Sequence, residues 1–319
     1  MAKLVENAQF VDMQAAADYM GPGAIFLPMF DTNIIDLMRQ RGALAQRMNT
    51  KPATGDPSRW LEVSAKSGGA FVDKRNISGN AGSTTRAEKY TPIKAIFSKA
   101  SFGLFDVEVN NQQGNFPNLV ARELNDRTED VLVLEDDKLW TGDIDNSALE
   151  YDGVLKLITD KFTIDLGDSI IDSIRTKIAA MVSNVAYHIR PTAIYMNPIL
   201  LDILQQEIKN SPNTIRELMG RELEVVPGVV VPAISTAAGI IPIIPEPYLT
   251  SSTANNVTSY NFAIVTENLI EYHYVTTAAP RMFKLGMLQD LAGNYVVIKF
   301  GAPVVRGAGI AHSIGTVKR

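Results

Sequence analysis

Residues 67–97 read SGGAFVDKRNISGNAGSTTRAEKYTPIKAIF, a stretch rich in Gly, Ser, Asn and Thr with few apolar residues before its end. Long loops of this kind are uncommon in compact domains and are usually functional or disordered. Apolar residues alternate on either side of the polar part, in RWLEVSA (59–65), IKAIFSK (93–99) and FDVEV (105–109). The pattern predicts a long β-hairpin over 59–109 with a polar tip. An isolated hairpin is marginal in water, so we expect a neighbouring subunit to support it.

Composition places the chain among ordinary folded proteins. It has 319 residues, of which 46% are hydrophobic and 20% are charged, enough to bury a sizeable core in one or two domains. There is no cysteine, so disulfides and thiolate chemistry are excluded. The start MAKLVENAQF lacks the pattern of a secretory signal, and no apolar run approaches the roughly 20 residues of a membrane span. We therefore expect a soluble, cytoplasmic product.

Charge is distributed unevenly along the chain. Residues 39–99 contain 12 Lys/Arg and 4 Asp/Glu, a net charge of +8, whereas residues 106–172 contain 5 Lys/Arg and 17 Asp/Glu, a net charge of −12. The two segments are either two solvated surfaces of one monomer, or a basic segment of one copy that lies across the acidic segment of another. Complementary charge of the second kind sets the register of association more than its affinity.

The clearest helix is predicted over 117–140, where Pro117 suits the first turn. Apolar residues recur on one side of it and acidic residues on the other. The apolar positions are Val120, Leu124, Val131 and Leu134, and the acidic ones are Glu123, Asp126, Glu129, Asp130 and Asp137. The expected rod is roughly 36 Å long. A shorter helix is predicted over 31–40.

Residues 152–262 predict an α/β unit. One helix begins after a cap at Asp168 or Ser169, and its apolar positions are Ile171, Ile174, Ile178, Val182 and Val185. TAIYM (192–196) predicts a short buried strand, and NPILLDILQQEIKN (197–210) and NTIRELMG (213–220) predict helices. Strands are predicted in LEVVPGVVVP (223–232), GIIPIIP (239–245), FAIVTENLIEYHYV (262–275), RMFKLGML (281–288) and NYVVIKFG (294–301), with a turn at QDLAGN (289–294).

Catalytic and metal-binding patterns are missing from the sequence. His188, His273 and His312 each lack a carboxylate or second histidine at metal-ligand spacing, so we assign them structural or surface roles. GDIDNSALEYDG (142–153) is similar to a calcium loop in its alternating carboxylates, but it lacks the central glycine and Val154 stands where a bidentate Glu belongs. We predict no enzyme, no metal and no cofactor. A pI near 5.4 argues against a tight binder of nucleic-acid phosphates.

The order of these parts resembles the major capsid protein family of tailed bacteriophages, whose fold is shared with encapsulins and the herpesvirus capsid floor. The motifs that carry the resemblance are LEDDKLWTGD…YDGVL, RPTAIYMNP, LMGRELEVVPGVVVP and MFKLGMLQDLAGNYVVIKFGAPVV. The resemblance implies an α+β fold with an N-terminal arm, a long E-loop β-hairpin, a peripheral domain with a spine helix, and an α/β axial domain. The implied bounds are 1–58 for the arm, 59–109 for the E-loop, 110–151 plus 262–300 for the peripheral domain, and 152–261 plus 301–319 for the axial domain.

The resemblance implies a shell subunit. Members of the family assemble as pentamers and hexamers into an icosahedral container for double-stranded DNA. We therefore expect a homo-oligomer in the virion capsid, assembled in the host cytoplasm, that encloses DNA without sequence-specific binding and does not enter a membrane. About 58 residues precede the hairpin, so we expect no cleaved scaffolding segment. We therefore expect either a separate scaffolding protein or none, and a portal and a decoration protein are the other candidate partners.

Charge suggests where neighbouring copies touch. We expect basic residues of the E-loop to lie over acidic residues of a neighbour's spine helix. The basic set is Arg59, Lys66, Lys74, Arg75, Arg86 and Lys89, and the acidic set is Glu123, Asp126, Glu129 and Asp130. The main rival to a viral shell is an encapsulin-like protein compartment. The sequence is also compatible with an enzyme built on an α/β core and with a phage structural protein other than the main shell subunit.

Overall fold

The computed structural model describes residues 39–65, 68–69, 71, 74–75, 83–103, 105, 108, 119–210, 221–226, 229–254, 256–287 and 292–319. Within them the chain forms two large β-sheets, a separate two-stranded hairpin and five α-helices. The helices are α1 (Ala43–Arg47), α2 (Leu119–Thr141), α3 (Val154–Leu157), α4 (Ile170–Val182) and α5 (Pro198–Asn210). The strands are β1 (Asn49–Pro52), β2 (Ser58–Ala65), β3 (Thr85–Thr91), β4 (Lys94–Gly103), β5 (Lys161–Ile164), β6 (Ala193–Met196), β7 (Arg221–Val226), β8 (Val229–Thr236), β9 (Gly239–Pro245), β10 (Ser251–Ala254), β11 (Val257–Val265), β12 (Ile270–Tyr274), β13 (Arg281–Met287), β14 (Ala292–Val305) and β15 (Ser313–Lys318).

The five-stranded sheet is built around β14. That strand pairs antiparallel with β4, β12 and β13, and β1 joins parallel to β12. The long helix α2 packs across β4 and β14, where Ile96, Val131, Tyr151 and Val297 form a small buried cluster. The predicted hairpin between 59–65 and 93–99 is therefore wrong in its second strand. Residues 94–103 pair with β14, and the hairpin is formed by β2 and β3.

The eight-stranded sheet has the order β5-β15-β11-β6-β9-β8-β7, with β10 paired to β11. Every residue of β6 is buried, as TAIYM predicts. Helices α4 and α5 bury Ile171, Ile174, Ile178, Leu200 and Leu204 in the core of this unit. Its strands β11 and β15 connect directly to β12 and β14 of the other sheet, so the chain crosses between the sheets at 266–269 and at 306–312.

The ends of α4 have clear local causes. Its predicted cap is confirmed at Ser169, whose hydroxyl accepts a hydrogen bond from the Asp172 N–H. The helix ends at Val182, where the Asn184 side chain accepts a hydrogen bond from the Ala186 N–H at 3.0 Å and forms a turn. Val185 is fully exposed, so its predicted place on the buried face is wrong.

Other differences from the sequence predictions concern boundaries. Residues 262–265 belong to β11 of the eight-stranded sheet, and 301–305 extend β14 of the five-stranded sheet. Phe105 and Glu108 are helical, so the strand predicted in FDVEV is wrong at these two positions, and its other three residues lie outside the described ones. Of the helix predicted over 31–40, residues 31–38 lie outside the described residues and the last two are not helical. The helix at 213–220 and residues 289–291 of the predicted turn also lie outside the described part of the chain.

No helix in the described ranges has the length and apolar content that a membrane crossing requires.

Two glycines explain the motif at the end of α2. The Gly142 N–H closes the helix on the Lys138 carbonyl at 3.0 Å, and the Gly153 N–H donates to the Gly142 carbonyl at 2.8 Å. A Cβ at Gly153 would lie 2.5 Å from the Trp140 carbonyl oxygen, and one at Gly142 would lie 2.4 Å from that of Tyr151. The two backbone segments touch, which only glycine permits.

Helix α2 buries carboxylates where the sequence predicted apolar residues. Glu135 is 3% exposed and Asp136 is 1% exposed, whereas Leu134 is 44% exposed. The Lys299 ammonium of β14 donates to both Glu135 carboxylate oxygens at 2.7 Å. Burial raises the pKa of Glu135, and the attraction of Lys299 opposes this shift. The buried ion pair therefore fixes the register of the helix on the sheet.

The segment before α1 is tied to the other buried carboxylates. Asp136 accepts hydrogen bonds from Arg41 Nε at 2.7 Å and from the Gly42 N–H at 2.8 Å. Glu246, which is fully buried, accepts from the Leu44 N–H at 2.9 Å and so caps the start of α1. Burial raises the pKa of this glutamate as well. The arm is thereby held against both α2 and the end of β9.

We predict that Lys299→Met alone lowers the free energy of unfolding by about 3–5 kcal/mol, because it leaves the Glu135 charge buried without a partner. The double variant Glu135→Leu/Lys299→Met should lose much less, since it removes both charges together. Urea unfolding of the two single variants and the double variant measures the coupling. If the loss in the double variant equalled the sum of the losses in the two single variants, the proposed coupling between Glu135 and Lys299 would be contradicted.

Candidate functional site

The β2–β3 hairpin has two different faces. Its register places Arg59 opposite Tyr90, Leu61 opposite Glu88 and Val63 opposite Arg86. Residues that are directly opposite share a face, so these six form the outer face of the hairpin. The inner face is formed by Trp60 opposite Lys89 and Glu62 opposite Ala87.

The inner face is attached to the body of the protein. At the base of the hairpin, Ser58 Oγ lies 2.7 Å from His273 Nδ1 of β12, and both residues are buried. Further along, Glu62 accepts hydrogen bonds from Trp60 Nε1 at 2.9 Å and from the Gly307 N–H at 3.1 Å. A cleft of about 420 Å³ separates the hairpin from the body beyond these contacts. The hairpin side chains that make these contacts therefore belong to its inner face.

The outer face exposes large apolar side chains. Leu61 and Tyr90 are each 68% exposed and Val63 is 37% exposed. Neighbouring apolar side chains of this size mark a contact surface when they lie together in a rim of charges, here Arg59, Arg86 and Glu88. Within the described residues the hairpin pairs with neither large sheet. The described residues therefore leave the side chains of the outer face exposed.

The basic residues singled out from the sequence have different positions. Arg59 and Arg86 lie on the outer face, and Lys74 and Arg75 are exposed in a turn beyond it. Lys89 lies on the inner face and lines the cleft. Arg59 pairs with Glu88 of the same hairpin at 3.0 Å, but an exposed pair of this kind contributes at most about 1 kcal/mol. Lys66 lies outside the described residues.

The acidic residues lie along α2, and cations of the same chain reach two of them. Arg127 pairs with Glu123, and its Nη1 lies 3.1 Å from Asp130. Arg39, where the described chain begins, also contacts Asp130. Among Arg59, Lys74, Arg86 and Lys89, which the structure describes, none forms an ion pair with the predicted acidic set of the same chain.

A second apolar surface lies beside β4. A groove of about 510 Å³ runs between this strand, α2 and the loop after it. Phe97 is 62% exposed, Leu149 is 83% exposed, and Leu134 completes the apolar lining. Of the apolar stripe predicted for α2, Leu134 lines this open groove, whereas Val131 is buried against the five-stranded sheet.

The loop similar to a calcium site holds a side-chain cation of the protein itself. The Lys156 ammonium contacts Asp143 and lies 2.6 Å from Asp145 and 2.8 Å from Asp152. Hydrogen bonding to Lys156 lowers the pKa of Asp143. Across the described ranges, no group of three or more His, Cys, Asp or Glu side chains is arranged to hold a metal ion.

Two of the three histidines are part of the framework. His273 Nε2 lies 3.2 Å from Glu271, which also accepts from Arg306 Nη2 at 3.0 Å. His312 is fully buried between the two sheets. His188 is exposed. The sequence spacing missed the His273–Glu271 contact, although residues two apart on a strand share a face.

The whole chain is similar to shell proteins of known structure. It matches the capsid protein of Myoviridae phage XM1 with 14% identity and a TM-score of 0.61, over 93% of this chain and 100% of that one. The capsid of the native GTA particle, computed with C5 symmetry, matches with 12% identity and a TM-score of 0.60, over 95% and 98%. The SrpI encapsulin of Synechococcus elongatus PCC 7942 matches with 11% identity and a TM-score of 0.58, over 94% and 93%.

The chain has the phage major-capsid fold. The predicted α+β class and the predicted likeness to capsids and encapsulins are confirmed at the level of fold. No protein-family model and no curated protein sequence matches the chain. The phage major-capsid fold occurs here in a sequence that shares about one residue in eight with the similar structures.

Proposed function

We propose that this chain is a major capsid protein that self-assembles into the icosahedral shell around the double-stranded DNA genome of a tailed phage. The observation that carries the proposal is the uncovered outer face of the β2–β3 hairpin, with Leu61 and Tyr90 each 68% exposed. A shell of identical copies covers such a face on every subunit. The similar capsid chains, which match over nearly their whole length, support this assignment.

We place four parts of a shell subunit on the structure. Residues 1–58 are the arm, the hairpin within 59–109 is the E-loop, and α2 is the spine helix. The peripheral domain holds α2 and the five-stranded sheet, and the axial domain holds the eight-stranded sheet. The boundaries between the two domains are proposed where the chain crosses between the sheets, at 266–269 and 306–312.

The contact between neighbours has an apolar and a charged component. Burying a large apolar side chain contributes about 1.5–3 kcal/mol, whereas an exposed ion pair contributes about 0–1 kcal/mol. Leu61 and Tyr90 therefore supply most of the affinity. Arg59, Arg86, Lys74 and Arg75, facing the neighbour's α2 carboxylates, set the register.

The partners follow from the shell. We propose pentamers and hexamers of this chain; one similar capsid was computed with C5 symmetry. The packaged DNA is held without sequence-specific contacts, because an acidic chain of pI about 5.4 repels phosphate. A separate scaffolding protein, a portal and a decoration protein complete the virion, which assembles in the host cytoplasm. None of these roles requires a catalytic site.

Electron microscopy of the purified protein tests the function. The purified protein should form closed polyhedral particles. Particles isolated from infected cells should contain double-stranded DNA that is protected from added nuclease. Closed particles that hold a protein cargo and no DNA would favour an encapsulin-like compartment, which the SrpI similarity supports. A chain that stays monomeric at high concentration would contradict both functions.

The outer face can be tested by a matched pair of substitutions. Leu61→Ser should reduce particle yield at least tenfold, because it removes an apolar contact repeated in every subunit. Leu166→Ser changes a leucine that is equally exposed, at 69%, but lies in the loop after β5, and should have no effect. The free energy of unfolding of each variant should lie within about 0.5 kcal/mol of that of the original chain, since both side chains are exposed. Equal particle yields would contradict the proposed contact.

Charge reversal tests the register. Lys74→Glu/Arg75→Glu should impair assembly and leave the fold intact, because the new charges would face the neighbour's acidic helix. Lys161→Glu, an exposed reversal on β5, is the control. Sedimentation of assembly mixtures at low and high salt measures the effect, which should shrink as salt screens the charges. Normal shells from the double variant would remove this part of the proposal.

A further inference from the structure

Both chain crossings between the two sheets meet at one buried histidine. The first crossing joins β11 to β12 and begins at Thr266, and the second joins β14 to β15 and begins at Arg306. His312 lies at the end of the second crossing, just before β15, and is 0% exposed. The side chain is therefore placed where the five-stranded and eight-stranded sheets are connected.

Hydrogen bonds determine the protonation state of His312. Its Nδ1 accepts from the Thr266 N–H at 3.2 Å, because a backbone amide can only donate. Its Nε2 lies 3.0 Å from the Arg306 carbonyl oxygen, which can only accept, so Nε2 carries the proton. The geometry thus requires a neutral ring with one donor and one acceptor.

Further bonds depend on the same arrangement. The Arg306 N–H donates to the Leu269 carbonyl at 2.9 Å, and the Thr266 hydroxyl donates to the Ala311 carbonyl at 3.0 Å. Together with the two bonds of His312 they join the crossings to each other. The imidazole ring is the member of this set that can change its charge near neutral pH.

Protonation is incompatible with this arrangement. A proton on Nδ1 would face the Thr266 N–H, so a hydrogen bond would become a repulsion in a buried site. Burial lowers the pKa of His312 to about 4. The ring therefore stays neutral in this arrangement until the pH falls to about 4, and its contribution to holding the crossings together declines as the pH falls from about 6.5 towards 4.

We infer that His312 is an acid-released clamp between the two sheets: the neutral ring joins the crossings, and the protonated ring separates them. The clamp is independent of the proposed shell function, because it lies within one chain. The equilibrium constant for closing the clamp falls by about 100-fold between pH 7 and pH 4, given the difference between the ordinary and the lowered pKa of His312. In a shell subunit it would let the peripheral and axial parts turn relative to each other in acid.

Other charged groups lie near the clamp and also respond to pH. On the elements packed around His312 these are Glu62, Glu267 with Arg47, Glu271 with Arg306 and His273, and Asp160 with Lys177. Burial acts to raise the pKa values of Glu267 and Glu271, but hydrogen bonds and cationic partners such as Arg47 and Lys51 outweigh it and lower both pKa values. A comparison with a variant at position 312 separates the histidine from these groups.

The distance between the sheets provides a direct test, and the chain has no cysteine to interfere. Spin labels at Ser101→Cys on β4 and Ser252→Cys on β10 sit at exposed positions, one on each sheet. Labelled chains are mixed with excess unlabelled chains, so that only distances within one chain are measured if particles form. The distance distribution should be narrow at pH 7 and should broaden or shift by several ångströms below about pH 4.5.

His312→Asn is the informative variant, because its amide oxygen can accept from the Thr266 N–H and takes up no proton. Its distance distribution should be the same at both pH values, whereas His188→Asn, an exposed control, should behave like the original chain. An acid shift that persists in His312→Asn would overturn the inference.

Amide exchange in the original chain provides a second readout if His312→Asn fails to fold. The amide hydrogens of Thr266 and of residues 306–313 should lose their protection from exchange as the pH falls. The midpoint pH of that loss should equal the midpoint pH of ring protonation, which nuclear magnetic resonance of labelled histidine measures. Exchange that stays slow after the ring has taken up its proton would equally overturn the clamp.

Discussion

A two-stranded hairpin offers two faces, and in the described part of this chain the body of the protein holds the side chains of one of them. The inner face is held through Ser58 and Glu62, and the outer face carries Leu61, Val63 and Tyr90 into solvent. Isolated hairpins are marginal in water, and clustered apolar side chains on a surface favour association. The proposed assembly depends on this constraint. Another copy of the same chain is always available, so it is the simplest partner that could bury the outer face.

The remainder of the molecule holds that hairpin at a fixed place. Its base is joined to β12, which belongs to the five-stranded sheet, and α2 is locked to the same sheet by the buried pair of Glu135 and Lys299. Buried ion pairs give register more than stability. The hairpin, the acidic helix and the apolar groove beside β4 therefore keep a constant geometry. Such constancy is what a lattice of identical contacts requires, since each small error would be repeated in every subunit.

Much of the fold could be predicted from local patterns, whereas the pairing of distant strands could not. Helices α2 and α4 and strand β6 follow from periodicity and capping, which act between near neighbours. The partner of β4 is β14, about two hundred residues further along the chain, and alternation identifies the faces of a strand but not its partner. The first predicted hairpin was wrong for that reason.

The buried carboxylates show a signal that could have been used. Glu135 lies four residues after Val131 and four before Leu139, so it occupies the middle of a stripe that is otherwise apolar. A carboxylate in that place must be buried and paired, although the sequence does not say that Lys299 is the partner. The candidate contact residues were found by charge alone. Leu61 and Tyr90, which we propose as further contact residues, could not be selected in this way, because alternation does not distinguish a face that is covered from one that is open.

Hydroxyl-radical footprinting of the hairpin tests the central claim most directly. The reactivities of Leu61 and Tyr90 are compared between assembled protein and chains dissociated in mild denaturant, with Leu166 as an internal reference of similar exposure. The account predicts that assembly protects Leu61 and Tyr90 at least several-fold and leaves Leu166 unchanged. Equal reactivity of Leu61 and Tyr90 in the two states would contradict it, because the outer face would then remain uncovered in the complete assembly.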